Sequence, residues 1–214
     1  MANKRTYAQY CGIARALEVV GERWSLLIIR DLLVGPRRYS DLRDGLPRIA
    51  TNVLAARLRE LEESGIIQRR ALPLPAGSVV YELTEAGRQL EPVLIGLGRW
   101  GAKRLGEPAD DEVVTADSMI MAMRTTFRRG TAHGLSASYD LRMGPIVLHL
   151  RIVEGELHAG EGPTASPDLI IEAGPSIRKL MSHEITAAEA VTLGIVTIHG
   201  PFRLLERFVE VFRI

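Results

Sequence analysis

The segment that decides the fold reads TNVLAARLRELEESGIIQRRALPLPAGSVVYEL at residues 51–83. Its first part places Leu54, Leu58 and Leu61 within about 60° of one another on a helical wheel of 100° per residue. Gly65 ends this helix. Two strand-like runs follow, 66–70 and 79–83, joined by a stretch rich in Pro and Gly. The segment therefore predicts an amphipathic helix followed by a β-hairpin.

The face of this helix opposite the leucines carries small residues, an amide and arginines. Asn52, Ala56 and Arg59 lie on it, flanked by Ala55 and Arg57. Small side chains let a helix backbone lie deep in the major groove, Asn can bond an adenine edge twice, and Arg can bind guanine or phosphate. The face favours DNA contacts, although a plain solvated helix can also carry Arg and Glu.

Three predicted helices precede this segment. They cover residues 10–20, 24–34 and a short stretch with Ser40 as its N-cap that Pro47 ends. Three helices, a recognition-like helix and a basic hairpin are the order of a winged helix-turn-helix, whose hairpin reaches the DNA beside the groove. Arg69 and Arg70 lie at the base of that hairpin and are candidates for the DNA contact.

Charge divides the chain into two parts. The 214 residues contain 27 Lys and Arg against 26 Asp and Glu. Residues 1–106 hold 17 basic and 11 acidic residues, a net charge of +6, whereas residues 107–214 hold 10 and 15, a net of −5. This polarity predicts two domains with different partners, of which the basic one is the candidate for DNA. The polar, acidic stretch GEPADDE (106–112) marks the boundary, so we expect a DNA-binding and dimerisation domain over 1–106, a linker over 107–116 and a second domain over 117–214.

The last helix of the basic half begins at Thr84, a good N-cap, and contains Pro92, which predicts a kink or a break. Its apolar residues recur at helical spacing as far as Trp100. So long a stripe indicates contact between helices of two protomers, and packing against the first helix is the alternative.

Residues 11–101 resemble the HxlR family of bacterial winged-helix regulators, a relative of the MarR group. The segments that carry the resemblance are CGIARAL (11–17), GERWSLL (21–27), RDLL (30–33), GPRRYSDL (35–42), LAARLREL (54–61) and YELTEAG (81–87). The resemblance implies a homodimer that binds a partly palindromic double-stranded DNA operator. Two positions depart from the family pattern, because Arg48 stands where a Gly is usual and Ala50 where a Ser or Thr cap is usual.

The full set of candidate DNA contacts comes from the helix-turn-helix and the hairpin. It comprises Arg38, Ser40, Thr51, Asn52, Ala55, Ala56, Arg57, Arg59, Arg69 and Arg70.

Cys11 is the only thiol of the chain and lies near the start of the first predicted helix, with Arg15 nearby. A helix N-terminus and cations both favour the reactive thiolate. In some members of the family that the chain resembles, a cysteine at the matching position senses electrophiles or oxidants. The alternative is a small buried residue at the dimer face.

The acidic half predicts an α+β domain. A Met-rich helix over 116–128 is followed by strands near 135–143, 146–152, 156–159, 168–173 and 194–199. Glu154-Gly155 predicts a tight hairpin. Thr186 and Glu189 form a capping box, and Pro201 opens a final helix that ends near Arg213.

Residues 117–214 also resemble a sterol-carrier-protein-type domain, on the runs SPDLIIE (166–172), ITAAE (185–189) and VTIHGPF (196–202). The resemblance implies a five-stranded sheet with helices on one side and an apolar tunnel for a lipid-like ligand. Plain core packing is the alternative for these side chains. The candidate lining residues are Met119, Met123, Phe127, Leu141, Met143, Leu148, Met181, Phe202, Leu205, Phe208 and Phe212.

No pattern in the sequence predicts an enzyme, a cofactor or a metal site, since the five His are scattered and no nucleophile elbow occurs. Apolar runs are short, so we expect no membrane span, and one cysteine fits a reducing cytoplasm. We expect a dimeric regulator, a repressor by preference, modulated by an apolar small molecule. The alternatives are a thiol-sensing regulator acting through Cys11 and a lipid-binding protein whose winged helix binds another protein.

Overall fold

The computed structural model describes residues 6–73, 77–106, 109 and 111–214. The chain forms two compact units, residues 1–94 and 95–214. The division falls between Leu94 and Ile95, within a helix, and the linker over 107–116 stays a prediction. Residues 107, 108 and 110 of that stretch lie outside the described part of the chain.

The N-terminal unit packs its helices around one apolar core. The first four are α1 (Gly12–Val20), α2 (Ser25–Val34), α3 (Tyr39–Gly45) and α4 (Thr51–Glu63). Side chains from three of these helices are almost fully buried together: Ile28, Ile29, Leu42, Leu54, Leu58 and Leu61. The predicted inward face of the fourth helix is confirmed.

Two antiparallel strands follow, β1 (Ile67–Ala71) and β2 (Val79–Leu83), which confirms the predicted hairpin. Arg37 adds a short third segment beside them. Its N–H donates to the carbonyl of Tyr81 at 3.0 Å and its carbonyl accepts from the N–H of Tyr81 at 2.8 Å. The segment before α3 is therefore fixed to the hairpin.

The helix predicted from Thr84 is broken into α5 (Glu85–Arg88) and α6 (Glu91–Ala102). Pro92 lies in the first turn of α6, where its missing N–H has no partner to lose, so the predicted break is confirmed. Gly87 lies so close to the residue before β1 that a Cβ placed on it would be 2.2 Å from the Ile66 carbonyl oxygen. Only glycine fits this approach without a backbone shift.

The C-terminal unit is built on a five-stranded sheet, as predicted. Its strands are β3 (Ala137–Met143), β4 (Ile146–Val153), β5 (Glu156–Glu161), β6 (Leu169–Ala173) and β7 (Val196–His199). Their order is β5-β4-β3-β6-β7, with β3 and β6 parallel and the other pairs antiparallel. Glu154 (φ 51°) and Gly155 (φ 79°) form the two-residue turn between β4 and β5, which confirms the predicted hairpin.

The described part of this unit contains four α-helices besides the end of α6. They are α7 (Ala116–Thr126), α8 (Ile177–Met181), α9 (Ala187–Thr192) and α10 (Phe202–Val211). Helix α10 contributes Phe208, whose ring meets Tyr139 of β3 at 5.6 Å and Phe212 at 4.7 Å between centroids. These aromatic rings are buried and form the centre of the second core.

Candidate functional sites

Helix α4 presents a polar face of the predicted kind. Its leucines are buried in the core, while Asn52, Ala55 and Arg59 are exposed and Ala56 is half-buried. The side chain of Arg59 makes no ion pair with any residue in the described part of the chain. An amide, a small side chain and a guanidinium thus lie together on the outward side of this helix.

The start of α4 has an unusual backbone. Ala50 occupies the N-cap and supplies no side-chain hydrogen bond, and the Tyr39 hydroxyl donates to the Thr51 carbonyl at 2.9 Å. Arg48, two residues earlier, has φ 104°, in the region that favours glycine. The departure from the family pattern at this position therefore places a side chain on a backbone suited to glycine.

The other arginines predicted to contact DNA around α4 and the hairpin are held by carboxylates. Arg57 lies 2.5 Å from Glu60 and 3.5 Å from Glu22, and its side chain is only 16% exposed.

Arg69 and Arg70 also carry such ion pairs. Arg69 Nε lies 2.9 Å from Glu62, and this hydrogen bond raises the pKa of Arg69. Arg70 Nε lies 2.8 Å from Glu82. Both side chains are exposed, so the base of the hairpin presents two arginines whose charge is partly balanced by its own acidic residues.

Arg38 and Ser40 lie at the beginning of α3 and are both exposed. The expectation that Ser40 caps this helix is wrong. The helix begins at Tyr39 with Arg38 as the N-cap residue, and the Asp41 carboxylate accepts the Arg38 N–H at 2.8 Å. The Asp41 carboxylate, at the third position of the helix, thus satisfies the N–H of the N-cap residue, as the N3 acid of a capping box does.

Cys11 occupies the N-cap of α1 and is exposed. The main-chain N–H of Ala14, and after it that of Ile13, lowers the pKa of the Cys11 thiol. These N–H groups favour the thiolate, as expected for a cysteine at a helix N-terminus.

The side chains predicted to line an apolar tunnel lie mostly inside the second core. Eight are buried: Met119, Met123, Leu141, Leu148, Met181, Leu205, Phe208 and Phe212. Phe127 and Met143 are half-buried, and Phe202 is exposed. Buried packing of this kind is what an ordinary core requires, and the tunnel stays a prediction.

The C-terminal unit also contains an open cavity of about 740 Å³ that the sequence reasoning missed. Five arginines line it, namely Arg99, Arg124, Arg128, Arg129 and Arg213, and Phe127 is the one predicted lining residue among its walls. The run RTTFRR at 124–129 was a local signal, but Arg99 and Arg213 are distant in sequence. No periodic pattern links these three places.

Among the described helices, none is both long enough and apolar enough to cross a lipid bilayer.

The N-terminal unit has the helices and hairpin of the helix-turn-helix class of proteins. Residues 19–108 match the model of the HxlR-like helix-turn-helix family. The HTH-type transcriptional regulator YodB of Bacillus subtilis (strain 168) is 39% identical over 95 residues, which cover 44% of this chain and 84% of YodB. On these matches, the chain belongs to the HxlR-like helix-turn-helix family.

Two further proteins are similar over a comparable length. The uncharacterized HTH-type transcriptional regulator sll1512 of Synechocystis sp. (strain ATCC 27184 / PCC 6803 / Kazusa) is 40% identical over 43% of this chain and 68% of its own length. The structure of the redox regulator HypR in its oxidized form is 32% identical over 45% of this chain and 99% of HypR, with a TM-score of 0.42. The family match ends at residue 108, and the sterol-carrier resemblance of the second unit stays a prediction.

Proposed function

We propose that this protein is a cytoplasmic transcription regulator that binds a partly palindromic operator as a homodimer and acts as a repressor. The observation that carries the proposal is the exposed face of α4, where Asn52, Ala55 and Arg59 lie opposite the buried leucines. In a helix-turn-helix protein this helix enters the major groove. Asn and Arg are the side chains that read adenine and guanine edges there.

The paired arginines suit a different part of the contact. Arg69 and Arg70 can exchange their carboxylate partners for DNA phosphates, since both pairs are exposed and such pairs add little to stability. Arg57 is less accessible and is expected to fix α4 rather than touch DNA. We therefore assign sequence reading to α4 and phosphate contact to the hairpin.

Operator binding is tested with duplexes that the wild-type protein selects from a random library, followed by fluorescence anisotropy. Asn52→Ala and Arg59→Ala are each expected to weaken binding by about 1–3 kcal/mol and to relax the preference at one position of the site. Arg151→Ala is the matched control, because Arg151 is exposed on β4 of the other unit. Selection of no duplex, or unchanged binding by both α4 variants, contradicts the proposal and favours a protein-binding winged helix.

Exposed apolar side chains support the homodimer. On α1, Ile13 is 73% and Leu17 44% exposed, and Val93 at the start of α6 is 58% exposed. Large apolar side chains in this number on two helices indicate a surface that another chain covers. We expect the full-length protein to sediment as a dimer and Ile13→Glu to sediment as a monomer, with Val79→Glu on the hairpin as the control. A monomeric wild-type protein contradicts the assignment.

We further propose that the C-terminal unit binds an apolar small molecule that changes operator affinity. A ligand shifts affinity only if it binds one arrangement of the dimer more tightly than the other. A 100-fold change corresponds to about 2.7 kcal/mol of coupling, an ordinary value for allosteric proteins. Native mass spectrometry of the purified dimer tests this part, since a bound apolar molecule adds mass that denaturation removes. The proposal is contradicted if the purified dimer carries no additional mass and if apolar compounds added to it leave its affinity for the operator unchanged.

A thiol-sensing regulator is the second candidate function. Its specific support is Cys11, which is exposed and has a lowered pKa. If this candidate is right, N-ethylmaleimide or hydrogen peroxide changes operator binding by the wild-type protein and leaves Cys11→Ser unaffected. An equal response of the two proteins, or none from either, contradicts it and leaves the DNA assignment in place.

A further inference from the structure

The arginine-lined cavity of the C-terminal unit rests on a well-defined backbone. Phe127, just after α7, and Phe212, just after α10, face each other as an isolated antiparallel bridge. The Arg128 N–H donates to the Val211 carbonyl at 2.7 Å, and the Arg213 N–H donates to the Thr126 carbonyl at 2.9 Å. Because side chains alternate along paired extended segments, Arg128 and Arg213 project to the same side of this bridge, and the two Phe side chains to the other.

Helix α6 brings the third arginine to the same place. Arg99 Nε donates to the Thr125 carbonyl at 2.9 Å, and another nitrogen of its guanidinium donates to the Phe127 carbonyl at 3.3 Å. Gly98 permits this approach, since a Cβ placed there would be 3.0 Å from the Thr125 methyl carbon. The cluster is therefore held by hydrogen bonds from α6 to the end of α7.

The charge of the cavity is strongly positive. Its walls contain five arginines and one carboxylate, that of Glu210, which forms an ion pair with Arg207. Arg129 pairs with Glu156. Within the ranges that the structure describes, Arg99, Arg128 and Arg213 have no carboxylate partner, and their side chains donate only to main-chain oxygens or make no hydrogen bond.

The three unpaired guanidiniums also repel one another. Partial burial, and after it the charges of Arg99 and Arg213, lowers the pKa of Arg128. Arginines gathered at such a cost are typical of sites that receive an anion, because a carboxylate or phosphate relieves the repulsion and can accept two parallel hydrogen bonds from one guanidinium.

We propose that Arg99, Arg128 and Arg213 form a binding site for the oxyanion of a small organic acid, a carboxylate or a phosphate monoester. Ile95 is the apolar residue of the walls outside the bridge and provides a surface for the organic part of such a ligand. A volume of about 740 Å³ is in the range of small-molecule sites. This site differs in chemistry from the apolar tunnel proposed above, and it does not depend on DNA binding.

The test uses the full-length ¹⁵N-labelled protein and follows the arginine Nε–H signals by NMR. Benzoate and phenyl phosphate are the probes, and neutral benzamide is the matched control ligand. We expect one or both acids to shift the signals of Arg99, Arg128 and Arg213 in a saturable way, while benzamide has no such effect. Binding of benzoate alone identifies a carboxylate as the ligand, and binding of phenyl phosphate alone identifies a phosphate monoester. Binding of both probes identifies a general oxyanion site.

Variants separate this site from unspecific charge attraction. Arg213→Gln is chosen because the Arg213 side chain makes no hydrogen bond or ion pair with any residue of the described ranges, so the scaffold stays intact. It is expected to weaken probe binding about tenfold, the usual effect of losing a charged hydrogen-bonding partner. Arg151→Gln removes the same charge from the exposed sheet and is expected to bind like the wild type.

Three outcomes overturn the proposal. The first is that neither acid binds at millimolar concentration. The second is that benzamide binds as well as benzoate. The third is that Arg213→Gln and Arg151→Gln bind the probes equally well. If no probe binds and Arg213→Gln instead weakens binding of the selected operator duplex, the cluster is a phosphate contact for DNA and the small-molecule site is refuted.

Discussion

Replacing Arg48 by glycine tests whether the backbone before α4 is strained. Arg48 has φ 104°, which L-residues rarely adopt because Cβ crowds the neighbouring carbonyl. Such a residue costs about 1–3 kcal/mol of folding free energy. Glycine adopts this φ freely but loses about 0.5–1 kcal/mol through its larger entropy in the unfolded chain. The difference predicts a net gain of about 1 kcal/mol for glycine over a residue with a Cβ.

Alanine is the necessary comparison. The Arg48 side chain makes an interaction of its own, so Arg48→Gly alone mixes the loss of that interaction with the relief of strain. Arg48→Ala loses the same side chain and keeps the Cβ. The free-energy difference between the glycine and alanine variants therefore isolates the backbone effect.

Urea unfolding in a Trp100→Phe background gives the measurement, since Trp24 is then the only tryptophan and lies in the N-terminal unit. A difference of about 1 kcal/mol moves the midpoint by about 0.5 M for a unit of this size. We expect Arg48→Gly to unfold at the higher urea concentration. At Arg59, within α4, we expect the opposite order: Arg59→Gly is less stable than Arg59→Ala by about 1 kcal/mol. Equal midpoints for the two Arg48 variants, or the same order at both positions, refute the reasoning.

Three further predictions concern packing and protonation. Gly87→Ala forces a Cβ against the Ile66 carbonyl and is expected to lower the free energy of unfolding by about 1–3 kcal/mol, measured by urea titration. Tyr139→Phe removes a buried hydroxyl that has no hydrogen-bond partner among the described residues, and burial already raises the pKa of Tyr139 to about 12. The change is therefore expected to be neutral or to stabilise by up to about 1 kcal/mol, and a clear loss in circular-dichroism melts contradicts it. The N–H of Thr186, followed by its hydroxyl, lowers the pKa of Glu189 below its unfolded value, so this carboxylate stabilises the fold above that value and ceases to do so as the pH falls through the folded pKa. The stability difference between wild type and Glu189→Gln is thus expected to shrink as the pH falls below about 4.3, the ordinary value for glutamate in an unfolded chain, and a difference constant with pH contradicts the assignment.

The parts of the fold that the sequence predicted are those with a local cause. The spacing of the α4 leucines, the position of Pro92 and the turn at Glu154-Gly155 each act over a few residues, and each is confirmed. Ser40 shows how a local rule fails. A serine is a good cap, but the helix begins one residue before it, at Tyr39, where the Asp41 carboxylate accepts the N–H of the N-cap residue Arg38.

The arginine cavity could not be predicted in the same way. Arg99, Arg128 and Arg213 come together only because the end of α7 pairs with the end of α10 and α6 packs on the same turn. This pairing is accompanied by a tilted contact between the rings of Phe127 and Phe212, whose centroids are 5.5 Å apart, and it joins residues 85 positions distant. A sequence shows that such residues are present but not that they meet.

Helix α6 offers a physical link between the oxyanion site and the proposed dimer. Val93, Leu97 and Trp100 are exposed on one side of it, within about 60° on the helical wheel. Ile95 and Arg99, which line the cavity, lie about 100–160° away from them around the same twelve-residue helix. If α6 can take two positions, an anion that binds Arg99 more tightly in one of them shifts the helix to that position. The exposed apolar side chains of α6 then move with it. If α6 contributes to the dimer surface, reciprocity follows. Because each protomer holds one site, saturating probe must change the dimerisation constant by the square of the ratio between the probe affinity of the dimer and that of a monomeric variant.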